Sequence, residues 1–410
     1  MKSDIDALMQ EQNIDALLIT GQGAHNPFLY YFTGGGLFTH ADVIKLRGAD
    51  PVLLVNPMER DEAARTGLRV ADSSVYSLQS LLKETNGDST CARALRYQRL
   101  LADLGFQSGR LAVYGQTDAG LAHAVLSQLE KLVPGLEIVD DSNQPLILQA
   151  MATKDSAEVE RIRDVGKKTV EVVAQVADFL TSQRVVDEVL VGVDGAPLTI
   201  GDVKRKINLW LAERDLENPE GTIFAIGADA GVPHSSGQSG DLLRLGSTIV
   251  FDIFPCEAGG GYFYDFTRTW CLGYAPDFAL SLYEDVRAVY NQVVSDLRPG
   301  AECKTYQVQT CELFEARGHA TIGSNLHTTK GYVHSLGHGV GLRVHESPSF
   351  SQFVPVPDIL KPGMVFTIEP GLYYPERGAG VRLEDTFWMR PDGSVDALVY
   401  YPMDLVLPVK

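Results

Sequence analysis

No run in this chain approaches the roughly 18 consecutive apolar residues that a membrane span requires. The start, Met1 to Thr20, carries acids early and has no basic segment leading into an apolar core, so no secretory signal is expected there. Basic residues are in the minority, 35 Lys and Arg against 53 Asp and Glu, which leaves a net charge of −18. The pI near 4.9 argues against nucleic acid or an anionic membrane as a main partner. Cysteine is scarce: Cys91, Cys256, Cys271, Cys303 and Cys311 are irregularly spaced and form no CxxC pair. That usage fits a reduced, cytoplasmic protein and excludes a disulfide framework or a thiolate zinc site. A dinucleotide loop is missing as well, because no clear helix opens after Thr33-Gly-Gly-Gly36. There is no low-complexity tract. What remains is an ordinary globular composition, 45% hydrophobic and 21% charged over 410 residues, long enough for two or three domains.

Apolar periodicity organises the first part as alternating helices and strands. Helical patterns cover 4–13, 59–66, 92–104 and 119–132; strand patterns cover 16–20, 41–46, 51–56, 111–114 and 136–140. The polar loop from Gly21 to Pro27 precedes Phe28–Thr33, which the glycines then interrupt. The alternation predicts an α/β domain with a mixed sheet over residues 1–151. Near Met151 to Lys154 the pattern resets. Asp155 and Glu158 have the spacing of a capping box, opening a long amphipathic helix to about Leu180. A second helix is expected over 198–214, then strands at 222–226 and 248–254. Helices over 278–297 and 305–317 and strands near 364–369 and 380–390 echo that order, which hints at a duplicated unit within residues 152–410.

Chemistry concentrates in the second region. The run Thr248–Phe254 is almost continuously apolar, as in a strand buried on both faces, yet Asp252 sits within it. After the turn Ala258-Gly-Gly-Gly261, alternation predicts a second strand with Phe263, Asp265, Thr267 and Thr269 on one face. Such a hairpin brings Asp252 and Asp265 together, and two close carboxylates repel unless a proton or a metal lies between them. Taken alone, Asp252 could equally bond an arginine, and Asp265 could pair with Arg268. Cys256 reads as a turn residue, with no basic partner to make it a nucleophile. Downstream, His334-Ser-Leu-Gly-His338-Gly-Val-Gly-Leu-Arg-Val-His345-Glu346 sets three histidines among small residues. Glu369 ends the apolar run Met364–Glu369, and Val381–Asp385 places Arg382 and Glu384 on one strand face. Glu369 could simply pair with Arg382. Together, two aspartates, two glutamates and one histidine make an oxygen-rich donor set suited to divalent Mn²⁺, Co²⁺ or Zn²⁺. Paired ions of that kind polarise carbonyls in aminopeptidases.

The segments Asp252…Asp265-Phe-Thr-Arg-Thr269, HSLGHGVGLRVHE, Thr367–Tyr373 (TIEPGLY) and Gly380–Asp385 (GVRLED) occur in one order. In this the chain resembles the pita-bread metallopeptidases of the methionine aminopeptidase, aminopeptidase P and prolidase group. The stretch from IDALLIT to FLYYFTG resembles the N-terminal domain of the creatinase/prolidase branch. The resemblance implies a creatinase-like α/β domain (1–151) followed by a pita-bread catalytic domain (152–410) with pseudo-twofold αβ halves. It also implies two divalent ions, Mn²⁺ first, with Asp252 on one, Asp265 and Glu384 bridging, and His338 and Glu369 on the other. His345 would contact the scissile region and stabilise the tetrahedral intermediate. His234, His334 and Arg382 would face the substrate, with Arg382 orienting the bridging glutamate or the substrate, and Glu369 would also shuttle a proton. Thirteen positions separate Asp252 from Asp265, slightly more than in the family pattern, which most simply enlarges the glycine turn. The implied activity is cleavage of Xaa-Pro dipeptides through a metal-bridging hydroxide, by a homodimer acting on small peptides with proline second. Xaa-Pro aminopeptidase action on longer peptides is the alternative. A metal-free creatinase-like C–N hydrolase or a non-catalytic module would lack the ligand set that is intact here.

Overall fold

The computed structural model describes residues 2–72, 74–354 and 356–409. The chain divides into two compact units, Met1–Met151 with Gly259–Gly261, and Ala152–Ala258 with Tyr262–Lys410.

In the first unit, α1 (Ile5–Glu11) buries Ile5 and Met9 and leads into the almost wholly buried β1 (Ala16–Gly21). Phe28–Thr33 proves helical: α2 (Pro27–Thr33) starts where Asn26 Oδ1 accepts the Leu29 N–H at 3.2 Å. Pro27 takes the first turn, where no N–H is needed, and Gly34 closes the helix in the left-handed region. Strands β2 (Ala41–Leu46) and β3 (Val52–Val55) are almost wholly buried, β2 carrying Asp42 and Lys45 among its apolar residues. They are followed by α3 (Arg60–Arg65), β4 (Arg69–Val70) and α4 (Leu78–Glu84). Then come α5 (Ser89–Asp103), β5 (Gly109–Gln116), α6 (Ala119–Leu132), β6 (Leu136–Ile138) and α7 (Leu146–Ala152). The strands form one six-stranded sheet in the order β4-β3-β2-β1-β5-β6. β1 runs antiparallel to β2 and parallel to β5. Leu18, Ile44 and Leu111 from the sheet meet Ala94 and Leu101 of α5 and Val125 and Leu129 of α6 in a shared core. Gly260 lies so close to His25 that a Cβ would collide with its backbone, which accounts for glycine at that turn.

The second unit opens with α8 (Ser156–Thr181). Asp155 Oδ1 accepts the N–H groups of Ala157 and Glu158, both at 2.9 Å, and Glu158 returns a bond to the Asp155 N–H. A capping box of this kind stabilises a helix start by about 1 kcal/mol. Val159, Ile162, Val165, Thr169, Val172 and Val176 recur at helical spacing and are buried. The hairpin β7 (Arg184–Val186) and β8 (Val189–Val191) leads to α9 (Ile200–Ala212), β9 (Leu216–Glu217) and β10 (Thr222–Ile226). β11 (Thr248–Ile253), β12 (Cys256–Glu257) and β13 (Phe266–Leu272) follow.

Here the structure departs from the sequence reading. The second long strand starts at Phe266, not near Tyr262, because β12 leaves the hairpin and pairs with β9. Cys256 is thus in a short strand, not a turn, and burial pushes its thiol up to about 12, which rules out a ready nucleophile.

A long helix and a 13-residue helix then recur, α10 (Asp277–Asp296) and α11 (Cys303–Glu315). They are followed by β14 (His338–Gly339), β15 (Glu346–Ser349), β16 (Val365–Ile368), β17 (Gly371–Tyr374), β18 (Ala379–Arg382) and β19 (Asp385–Met389). β20 (Val395–Ala397) and β21 (Val406–Leu407) end the chain. Val286, Val289, Tyr290 and Val293 of α10 and Phe314 of α11 pack on Phe366, Ile368, Val381 and Phe387. One sheet runs β10-β11-β13-β21 and another β15-β14-β16-β19-β20. A bridge between Thr267 and Glu384 stitches them. Among the described residues no helix is long and apolar enough to cross a membrane.

Candidate metal centre

The acidic residues gather at that stitch, four of the five donors at strand ends. Asp252 lies within β11, opposite Thr267 of β13. Asp265 immediately precedes β13, His338 opens β14, and Glu369 follows β16. Glu384 sits in the break between β18 and β19, so Arg382 and Glu384 do not share one continuous strand. Strand ends free side chains from strict alternation, and so allow them to converge.

Asp265, His338 and Glu384 each offer one ligand atom, and these atoms lie within 4.8 Å of one another. His338 Nδ1 donates to the Gly339 carbonyl at 3.1 Å, which turns Nε2 toward Glu369 Oε1 at 3.3 Å and Asp265 Oδ2 at 3.6 Å. Asp252 is held beside them by Arg382, whose Nη2 reaches Asp252 Oδ2 at 2.5 Å. Neither Asp265–Arg268 nor Glu369–Arg382 pairing occurs as a hydrogen bond. Arg268 instead binds Asp385 Oδ1 at 2.9 Å and the backbone carbonyl of Glu384 at 2.8 Å.

Three oxygens stand out: Asp252 Oδ1, Asp265 Oδ1 and Glu384 Oε1 are buried without a hydrogen-bond partner. Leaving such atoms bare is costly, and hard divalent cations are the partners that carboxylate oxygens with one imidazole suit. The residues therefore fit a metal centre. Their protonation says the same. Burial, then the charge of Asp252, drives the Asp265 carboxyl well above the usual range, and burial with Asp265 does so for Glu384. Burial also opposes ionisation of Glu369, but the hydrogen bond and charge of His338 hold it down at about 2. The same contact lifts His338 to about 9 against its own burial. Three of the four crowded carboxyl groups, Asp252, Asp265 and Glu384, thus lack positive charge, which cations would supply.

A family model described as metallopeptidase family M24 matches residues 160–391, and one for the creatinase/prolidase N-terminal domain matches residues 3–150. The chain belongs to metallopeptidase family M24. It is a metallopeptidase with a creatinase-type N-terminal domain and a pita-bread domain. It is 33% identical over 186 residues to the putative dipeptidase YkvY of Bacillus subtilis, a match that spans 45% of this chain and 47% of that protein. It is 27% identical over 392 residues to an Xaa-Pro dipeptidase of Pyrococcus horikoshii, covering 94% of this chain and 93% of the relative. The solved X-Pro aminopeptidase of Thermotoga maritima superposes with a TM-score of 0.72 at 20% identity, covering 96% of this chain and 97% of that one. At that identity the likeness is one of fold.

Around this candidate centre, hydroxyls that the sequence reading passed over fix the acids. Thr267 Oγ1 donates to Glu384 Oε2 at 2.7 Å and accepts from Arg382 Nε at 3.3 Å. Arg382 Nη1 donates to Tyr373 Oη at 2.8 Å and to the Pro233 carbonyl at 3.2 Å. His334 Nδ1 donates to the Ser335 carbonyl, so its Nε2 accepts from Tyr373 Oη at 2.9 Å. This requires neutral His334, and burial lowers it to about 4. Asp252, Arg382, Tyr373 and His334 therefore form one continuous chain of bonds. Thr267 and Tyr373 lay inside the quoted DFTRT and TIEPGLY segments, which was the available signal.

His345 has an exposed edge, but its imidazole is partly buried with its ring 4.2 Å from that of His338, and that burial with the charge of His338 lowers it to about 4. His234 is exposed in the loop after Gly231. Glycines let this loop region close up. A Cβ at Gly337 would strike the Thr367 carbonyl, and one at Gly341 would strike the Glu346 carboxylate. That carboxylate accepts from Arg343 N at 3.1 Å and pairs with the buried Lys154 at 2.8 Å, anchoring the chain next to His345.

Proposed function

We propose that this M24 peptidase is a dinuclear-metal Xaa-Pro dipeptidase. The observation that carries the reading is the cluster of Asp265, His338 and Glu384 with three bare buried carboxylate oxygens. The full-length similarity to a protein named Xaa-Pro dipeptidase supports the choice of bond. In this reading Asp252, Asp265, His338, Glu369 and Glu384 hold two divalent ions, Mn²⁺ first and Zn²⁺ or Co²⁺ otherwise. Bound there, the cations supply Lewis acidity to the scissile carbonyl and make water a better nucleophile at neutral pH.

The protein's own groups do the rest. An Xaa-Pro bond is a tertiary amide with no N–H, so the site must polarise its carbonyl and protonate its nitrogen. Glu369, ionised well below neutrality, accepts the proton of the attacking water and returns it to the proline nitrogen as the C–N bond breaks. His345, neutral at working pH, directs an uncharged N–H at the carbonyl oxygen as it gains charge. His234 and His334 face the rest of the substrate. Arg382 holds Asp252 by one oxygen, which leaves Oδ1 as its ligand atom. Thr267 does the same for Glu384.

Aminopeptidase action on longer peptides is the second reading, and the fold shared with the Thermotoga X-Pro aminopeptidase supports it equally. Product analysis on metal-loaded enzyme, with an Xaa-Pro dipeptide and an Xaa-Pro-Yaa tripeptide side by side, separates the two. Cleavage of the dipeptide alone makes the protein a prolidase. Cleavage of the tripeptide moves it to the aminopeptidase branch, and cleavage of neither overturns the proline assignment.

A further inference from the structure

The first unit contains a cavity of about 540 Å³ that shares no residue with the metal centre. Its size is within the range of small-molecule sites. One wall is apolar, built by Leu18 of β1, Val113 of β5 and Val125 and Leu126 of α6. Strand pairing places Leu18 beside Ile44 and Val113, and two residues on, Thr20 beside Asp42 and Gly115. The same sheet face therefore turns from apolar to polar along its length. At the polar end Thr20, His40, Arg93 and Tyr97 line the space.

Asp42 lies behind them, 1% exposed. Its Oδ1 accepts from Thr20 Oγ1 at 2.6 Å and Tyr97 Oη at 2.8 Å, and His40 Nε2 stands 3.3 Å away. Its Oδ2 is buried and has no partner, and neither has the buried Nε of Arg96. A polar network that only supported the core would satisfy both oxygens. The charges of Arg93 and Arg96 both act on His40, and the hydrogen bond to Asp42 raises the imidazole's pKa. The carboxylate thus meets His40 and Arg96, and His40 faces Arg93 as well, so cationic groups outnumber the one carboxylate here in a chain of net charge −18.

We propose that this cavity binds a small amphipathic carboxylate, with its head at Arg93 and His40 and a branched apolar body against Leu18, Val113 and Leu126. Two kinds of compound share that chemistry. A simple branched carboxylic acid needs only the cationic end and the apolar wall. A free α-amino acid would also bring an ammonium group, whose charge the Asp42 carboxylate behind the lining would attract.

Calorimetric titration of the full chain tests this, using 4-methylpentanoate, leucine and 3-methylbutylamine as probes. Each titration is repeated on the Arg93→Gln variant, so that carboxylate binding at the metal centre, which that change leaves in place, is told apart from binding here. Saturable binding of the two carboxylates but not of the amine is expected. Arg93→Gln should weaken it about tenfold or more, as loss of a charged hydrogen bond does. Leu126→Trp, which fills the apolar end, should remove it, and circular dichroism reports whether that variant folds. Leucine binding more tightly than 4-methylpentanoate, with Asp42→Asn erasing the difference, identifies the amino acid; the reverse order identifies the simple acid. Absence of binding, binding of the amine alone, or affinity unmoved by Arg93→Gln would overturn the proposal.

Discussion

Asp42 in the first unit and Asp265 in the second are 1% and 4% exposed, and their surroundings send them in opposite directions. For both, burial disfavours the charge. Around Asp42, His40, Arg96 and Thr20 offset burial and hold the carboxyl below its usual range. Around Asp265, Asp252 and Glu369 add to burial and outweigh the opposing charges of His338 and Arg382. The difference teaches that depth does not decide whether a buried acid stays ionised; the sign of what surrounds it does. A carboxylate among donors is content as an anion. One among carboxylates needs a proton or a cation.

The largest break in that comparison is Asp265→Asn. It should cost at least about 10³-fold in kcat/KM and empty one or both metal positions with the fold kept. Elemental analysis beside circular dichroism checks this, and full occupancy would refute a shared-ligand role. His345→Ala should lower kcat by about 10²-fold with metal content intact, which places it with the reacting carbonyl and not with the ions. Thr267→Val keeps every carboxylate but frees Glu384 to turn, so metal affinity or activity should drop about 10–100-fold; a metal titration reads it. On the other side, Asp42→Ala strands the donors of Thr20 and Tyr97. It should destabilise the protein by about 1–3 kcal/mol in urea unfolding while metal content stays full.

The smallest effect is one of pH. His334 and His345 hold out to about 4 when folded, whereas an unfolded histidine protonates near 6.5. Between those values the unfolded chain binds more protons, so stability should decline as pH falls through that window. Urea midpoints of metal-free protein from pH 7 to 4 would expose a flat profile if the two imidazoles were ordinary.

Much of this could be read in the residues. The helix over Ala119–Leu132 and the strands Ala41–Leu46 and Thr222–Ile226 have the bounds their apolar periods predict. The box at Asp155 and Glu158 opens α8 as its spacing implies. Local signals failed where pairing is distant. Nothing near Cys256 announces that it joins β9, so the start of β13 was set too early. Phe28–Thr33 has no polar face to betray a helix, and only Asn26 and Gly34 mark its ends. The acids of the centre were visible as types in order. The Asp252–Arg382 contact was not, because 130 positions separate the partners. The cavity in the first unit was invisible for the same reason, since β1, α5 and α6 only meet in three dimensions.

The stitch between Thr267 and Glu384 has a consequence for how the molecule comes into being. During synthesis, Asp252 and Asp265 emerge long before His338, Glu369 and Glu384 exist. Two carboxylates without their imidazole and glutamate partners make a poor cage for a divalent ion. On the proposed ligand set, a complete site can form only once Glu384 has been made and both sheets have met. A chain truncated before Glu384 would then lack the full donor set and should be inert as a peptidase.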